Sequence, residues 1–208
     1  MLYKTPLETN TLELIKEIQA HEEFKSFYLA GGTALAVQIG HRKSIDLDFF
    51  TTKDFDIEYY LNILENQYNF IFNFSSTNTI KGIIGTVHVD FIAHKYPLLK
   101  SPIIDENIGL VHIQDIAAMK VNAIVINGTR VKDFIDFYYL LDFYSFGEII
   151  AFFEKKYSQR NFFLAVKSLI YFNDVDLNEW PVMLKEPDLK WNRVKERILM
   201  NHNDFMNH

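Results

Sequence analysis

The chain has 208 residues, 49% of them hydrophobic and 23% charged, enough for one large domain or two small ones with packed cores and no case for disorder. It has no cysteine, which excludes disulfides, zinc–thiolate centres and thiol catalysis. A formal net charge of −6 argues against a surface that grips long nucleic acid non-specifically, although an acidic chain can still carry a local basic patch.

The first nine residues show no basic segment followed by an apolar one, so no signal peptide is expected. No apolar run approaches the roughly 20 residues that span a bilayer. A cytoplasmic protein without a membrane partner is the resulting expectation.

Residues 11–20 read as an amphipathic helix, with Leu14, Ile15 and Ile18 on one face. Residues 27–30 form a short apolar strand that runs into Gly31-Gly32-Thr33, then into a helical stretch at 34–39. Gly40 ends that helix in the left-handed position. A second strand is expected at 45–50 and a helix at 57–64. Three β-rich runs follow, at 70–74, 79–84 and 86–92, punctuated by Gly82 and Gly85. Pro97 and Pro102 break the chain, and 101–109 reads as a connection. The remainder is helical, at 113–126, 132–143, 148–157, 162–172 and 189–200. Strands followed by a block of helices predict an α+β layout.

The chemistry concentrates in Leu29-Ala-Gly-Gly-Thr-Ala and His41-Arg-Lys-Ser-Ile-Asp-Leu-Asp-Phe-Phe. On a strand, side chains alternate faces. Ser44, Asp46 and Asp48 then point one way, while Ile45, Leu47 and Phe49 can pack on a core. Asp46 and Asp48 would lie about 7 Å apart along the strand. Two anions that close call for a cation, and Mg²⁺ takes oxygen ligands together with substrate phosphates. Asp-x-Asp on an exposed strand face is common, and so is Gly-Gly after a strand. Their combination says more. A strand feeding a Gly-Gly-Thr turn and a helix N-terminus makes an anion cradle, and the next strand brings two carboxylates. In 86–92, Thr86, His88 and Asp90 share the face opposite Val87, Val89 and Phe91. His88 and His94 can also be drawn as metal ligands, but strand regularity toward Pro97 is needed for that. His41 reads as a turn residue rather than a base.

These residues resemble the nucleotidyltransferase signature of the DNA polymerase β-like superfamily: Ala30-Gly31-Gly32, thirteen residues, then Asp46-Leu47-Asp48. More narrowly, Gly-Gly-Thr-Ala-Leu-Ala and Gly-His-Arg-x-Ser-x-Asp-Leu-Asp-Phe-Phe resemble the AbiEii/AbiGii toxin family, nucleotidyltransferase-like toxins of bacterial toxin–antitoxin and phage-defence systems. Asp115-Ile-Ala-Ala-Met-Lys120 and Arg130-Val-Lys-Asp-Phe-Ile-Asp136 look like the family's later motifs. The resemblance covers about residues 28–140. It implies a polymerase β-like mixed sheet with flanking helices over 1–105, and a helical bundle over 106–208 that completes the active-site cleft.

The resemblance further implies that Asp46, Asp48 and Asp90 hold two Mg²⁺ ions, with Mn²⁺ as a substitute, about 3.5–4 Å apart. Gly31, Gly32, Thr33 and Ser44 would bind β- and γ-phosphate oxygens of an NTP. Arg42 and Lys120 would add positive charge where pyrophosphate forms. Asp133 and Asp136, three apart on one helix face, would assist nucleotide binding; their bland reading is helix-dipole and cap stabilisation, and that of Lys120 is a solvated helix lysine. The implied acceptor is RNA, through a tRNA 3′ end, and a cognate antitoxin protein is an implied partner. Lys185, Lys190, Arg193, Lys195 and Arg197 with Trp191 could track a phosphate backbone and stack on a base. The i, i+3, i+7 spacing of Trp191, Val194 and Ile198 instead suits an amphipathic helix with its basic face solvated. Two rival functions share these motifs: a catalytically silent binding module, and a transferase acting on a protein or small molecule.

Overall fold

The computed structural model describes residues 2–158 and 161–207, which divide into two compact units. The first contains the chain up to Gly40, Ser44–Pro97 and Ser101–Val111. The second contains His41–Lys43, Leu98–Lys100 and the chain from His112 onward. The fold is mixed α+β, as expected.

The first unit opens with α1 (Thr9–Ala20), β1 (Tyr28–Leu29) and α2 (Gly31–Ile39), followed by β2 (Leu47–Thr51) and α3 (Ile57–Tyr68). Then come β3 (Ile71–Ser76), β4 (Thr79–Ile84), β5 (Val87–Ala93), β6 (Ile103–Asp105) and β7 (Ile108–Leu110). They form a seven-stranded sheet in the order β3-β4-β5-β2-β1-β7-β6. β2 pairs parallel with β5 and β1 parallel with β7; the other neighbours are antiparallel.

Register arithmetic divides the sheet's two faces. Phe49, Phe91 and Ile80 are in register across β2, β5 and β4, and all three are buried. The rings of Phe49 and Phe91 stack at 5.2 Å with 14° between their planes. Phe24 and Phe27 pack onto Phe91, at 5.1 and 5.4 Å. Burying side chains of this size contributes about 1.5–3 kcal/mol each, so this face carries the unit's stability. The next register row, Asp48, Asp90 and Lys81, lies on the opposite face.

Two expectations need correction here. The stretch 101–109 is not a plain connection but the β6–β7 hairpin. Its two-residue turn, Glu106-Asn107, has both residues at positive φ, 49° and 65°, the geometry that matches strand twist. Pro97 and Pro102 mask the signal, and strands of three residues are too short to show alternation. The Gln19 side chain anchors the hairpin, bonding both the N–H and the C=O of Gly109 at 2.8 and 2.9 Å. Second, Ile45 is 56% exposed and does not pack on the core, because β2 begins only at Leu47.

The second unit is helical: α4 (Ile113–Ile126), α5 (Val131–Leu140), α6 (Phe146–Lys156), α7 (Phe162–Leu169) and α8 (Trp191–Met206). α4 packs against α5, α6 and α7; Ala117 and Ala118 are fully buried on it, and their small side chains let neighbouring helices approach. α6 starts with a capping box in which Ser145 and Glu148 satisfy each other's backbone N–H.

A buried ion pair fastens α4 to α6. Asp115 accepts from Lys156 Nζ at 2.7 Å, and both side chains are fully buried. The same carboxylate accepts the backbone N–H groups of Leu99 and Lys100 at 3.0–3.1 Å. Removing the lysine leaves a buried anion with backbone donors only. Lys156→Met is therefore expected to lower unfolding free energy by about 3–5 kcal/mol in urea melts; a loss under about 1 kcal/mol would show the pair to be water-accessible.

Candidate active site

Gly31 sits at the start of α2 with φ +64°, a conformation that L side chains rarely adopt. A Cβ there would run into the Asp48 carboxylate, with its Cγ only 3.2 Å away. The Asp48 side chain thus lies directly against the Cα at the N-terminus of α2. The first-turn amides of a helix have no intrahelical acceptor and carry partial positive charge, so this position favours the anion. The backbone fixes the approach: Ala30 N–H donates to Asp48 O at 2.7 Å.

Thr33 is buried in α2. Its hydroxyl lies 2.7 Å from Ser44 Oγ and donates to the carbonyl of Asp46. This explains why β2 starts late. The backbone ahead of Leu47 is held by a helix side chain rather than by a neighbouring strand, and Ile45 turns outward. The Thr33 hydroxyl thus holds the Asp46 backbone, two residues before Asp48.

Asp48 and Asp90 are direct partners on parallel β2 and β5, about 4.8 Å apart between backbones. Lys81 completes the row from β4, opposite Asp90, and its ammonium pairs with Asp90 Oδ2. The sequence reading missed Lys81, although a signal existed. A two-residue turn at Gly85-Thr86, with Gly85 at φ +60°, closes Ile84 on Val87. Counting back three residues from each side puts Lys81 opposite Asp90.

Arg42, Lys120, Asp133 and Asp136 gather in the second unit. Residues 41–43 pair there with the segment around 182–185: Leu184 N–H donates to His41 O at 2.9 Å and Lys43 N–H to Val182 O at 2.9 Å. The Asp136 carboxylate accepts from His41 Nε2 at 2.8 Å, from Arg42 Nε and Nη2 at 2.7 and 2.9 Å, and from Lys120 Nζ at 2.6 Å. Lys120 also donates to Asp133 Oδ1 at 2.7 Å. All five side chains are buried. Asp133 and Asp136 therefore do more than cap α5, and Lys120 is not a solvated helix lysine.

The charges in this cluster are mutually compensated. Burial alone would raise the Asp136 pKa, but the charges of Arg42 and Lys120, with hydrogen bonds from His41 and Arg42, hold it well below the carboxylate range. Burial would lower that of Lys120, and Asp133 and Asp136 reverse the shift, so it is raised. For His41 burial dominates, and with Arg42 and Lys120 it outweighs the Asp136 contact, so the imidazole pKa is lowered from 6.5.

The basic C-terminal stretch is largely engaged. Trp191 packs edge-on against Phe134 and Phe172 at 5.8 and 5.6 Å. Arg193 pairs with Glu186 at 2.9 Å. Arg197 pairs with Asp142 at 2.7 Å and lies over the Tyr138 ring. Lys185 lies over Tyr139 and Phe143.

Among the described residues no three His, Asp or Glu side chains converge as a finished metal cluster. The donor set on the polar sheet face nevertheless fits a hard cation. It is all carboxylate oxygen, two of its members are in register on adjacent strands, and an ammonium already lies on one of them.

Residues 13–97 and 84–207 match the family profile described as nucleotidyl transferase AbiEii toxin, type IV toxin–antitoxin system. An uncharacterized protein of Aquifex aeolicus (strain VF5) is 33% identical over 174 residues, covering 81% of this chain and 84% of that protein. Two solved Helicobacter pylori structures share the fold at 17% identity and a TM-score of 0.55. One, provisionally assigned as a nucleotidyltransferase, aligns over 97% of this chain and 98% of its own. The other, JHP933, aligns over 100% and 96%.

Two outcomes follow from this geometry. Gly31→Ala must strain the backbone and displace the Asp48 carboxylate; a loss of about 1–3 kcal/mol in thermal or urea unfolding is expected, and an unchanged stability would mean that the α2 start is looser than described. The second concerns pH. A folded pKa below 6.5 for His41 means that the unfolded chain binds the proton first, so its stabilisation is full above pH 6.5 and declines as pH falls. Urea melts at pH 7.5, 6 and 5 should show a shallower decline for His41→Gln than for the parent. Parallel declines would show that folding leaves the His41 pKa unchanged.

Proposed function

The chain belongs to the AbiEii nucleotidyl transferase toxin family of type IV toxin–antitoxin systems, and on that premise we propose that its polar sheet face beside Gly31 is where a nucleoside monophosphate leaves an NTP for an acceptor hydroxyl. The observation that supports this most is the Asp48–Asp90 register pair with Asp48 seated on Gly31.

In the proposed reaction the acceptor oxygen forms a bond to the α-phosphorus. The bond from that phosphorus to the α–β bridging oxygen breaks, pyrophosphate departs, and the acceptor proton is lost to water. Asp48 and Asp90, with Asp46 two residues before Asp48, would hold Mg²⁺, as two ions or with Mn²⁺ in its place. When bound, the metal would supply Lewis-acid activation of the acceptor hydroxyl and neutralise the growing charge of pyrophosphate. The chain's own part is positioning. Gly31 lets the Asp48 carboxylate seat against the start of α2, where a side chain would block it. Amides at Gly31, Gly32 and Thr33 would face phosphate oxygens. The Thr33 hydroxyl, itself hydrogen-bonded to Ser44, holds the Asp46 carbonyl, which limits reorganisation as the reaction proceeds. For Arg42, Lys120, Asp133 and Asp136 we propose, on the family resemblance, a contribution to nucleotide binding in addition to the bonds they make with one another.

The proposed acceptor is RNA at a tRNA 3′ end, again on the resemblance, with Lys190 and Lys195 as candidate phosphate contacts. A role as the toxin of a toxin–antitoxin or phage-defence pair, countered by a cognate antitoxin, belongs to the same proposal. Among the described residues no helix is long and apolar enough to cross a membrane.

The test is incubation with each α-labelled triphosphate, Mg²⁺ and total RNA. Labelled RNA is expected, and Asp46→Asn and Asp48→Asn should abolish it without lowering the melting temperature. Variants that label RNA as the parent does would remove these carboxylates from the reaction. Label on protein alone would replace the RNA acceptor, and no label with any triphosphate would overturn transfer.

A further inference from the structure

We infer that Lys81 is a resident counter-cation of the carboxylate pair: its ammonium occupies Asp90 when no metal is bound, must yield when a divalent ion enters, and so sets how tightly that ion binds. This rests on the reading of Asp48 and Asp90 as metal ligands and goes one residue beyond it.

The sheet register carries the argument. Asp48, Asp90 and Lys81 stand side by side on three adjacent strands, on one face. Like charges directly opposite each other on neighbouring strands are destabilising, and an opposite charge across the next pair offsets them. Lys81 provides that offset: its Nζ pairs with Asp90 Oδ2, the side chains being 42% and 20% exposed. The lysine end is open to water, which screens the pair and lets the contact exchange. An ammonium and a divalent cation held on one carboxylate repel each other. Lysine has a flexible four-carbon stem, and Lys81 can swing into water while β4 keeps its hydrogen bonds to β5. Metal binding then carries the cost of breaking the pair. A bare ion meets that cost with two or three carboxylates, whereas an ion arriving with a triphosphate brings further oxygen ligands. Lys81 on this account weakens binding of a bare ion, and a metal–nucleotide complex carries the same cost with more ligands to offset it. A purely structural cross-strand pair would change stability and leave metal affinity untouched.

Mn²⁺ titration of the full chain without nucleotide, followed by the paramagnetic resonance signal of free Mn²⁺, separates the two. Lys81→Met, which keeps length and removes charge, should bind Mn²⁺ about threefold to tenfold more tightly than the parent and show a larger metal-induced rise in Tm. Lys81→Arg should stay within about twofold of the parent. Lys81→Gln serves in place of Lys81→Met if the latter aggregates. Unchanged or weaker binding by the neutral variants, with Mn²⁺ affinity lost in Asp48→Asn, would overturn this inference and leave the carboxylate site standing. Absence of Mn²⁺ binding by the parent, or equal binding by Asp48→Asn, would overturn the metal reading and this inference together.

Discussion

Two carboxylates held abreast on neighbouring parallel strands repel each other, by about 1–3 kcal/mol at that spacing in a watery to half-buried setting. Asp48 and Asp90 are placed in that way by the β2–β5 register, and much of the first unit can be read as what makes it tolerable. The opposite face of the same strands carries the Phe49–Phe91 stack and the aromatic cluster behind it, which fix the register through burial. On the polar face, Asp48 sits at a helix N-terminus and Asp90 against an ammonium. The glycine follows from this arrangement: a carboxylate pressed onto the first turn of α2 leaves no room for a Cβ at residue 31.

The helical unit treats its charges in the opposite manner. Asp136 and Asp133 are closed in with Arg42, Lys120 and His41, and Asp115 with Lys156. Desolvation of these groups is large, and bidentate, multiply hydrogen-bonded geometry offsets it. The consequence is specificity of packing. A helix start such as α5 can sit in one place only, because its acids need those partners. Half-buried charge on the sheet contrasts with buried charge among the helices.

Much of this was legible in the sequence. Alternation placed Asp48 and Asp90 on polar faces opposite Phe49 and Phe91, and Gly40 ends α2 in the left-handed conformation at φ +68°. The helices of the second half follow from their apolar periodicity, with 113–126 recovered as α4. What stayed hidden is what lies between elements. Ile45 obeys alternation on paper, yet a hydroxyl eleven residues upstream of Ser44 delays the strand. The short β6–β7 hairpin hid behind two prolines. His41 and Arg42 read as neighbours of Asp46 in one motif, but their side chains bond to a helix more than ninety residues on. Such pairings are set by tertiary packing, for which local spacing has no signal. Lys81 is intermediate: hairpin counting could have found it.

The central claim is that the Asp48–Asp90 pair is the place where metal and triphosphate meet. Crystals grown with Mn²⁺ and an NTP whose α–β bridge cannot be cleaved test it most directly, through the anomalous signal of manganese. The account predicts a peak within bonding distance of both the Asp48 and Asp90 carboxylates, with phosphate oxygens facing the amides of Gly31 and Gly32. A nucleotide bound with its metal away from these two carboxylates would contradict it.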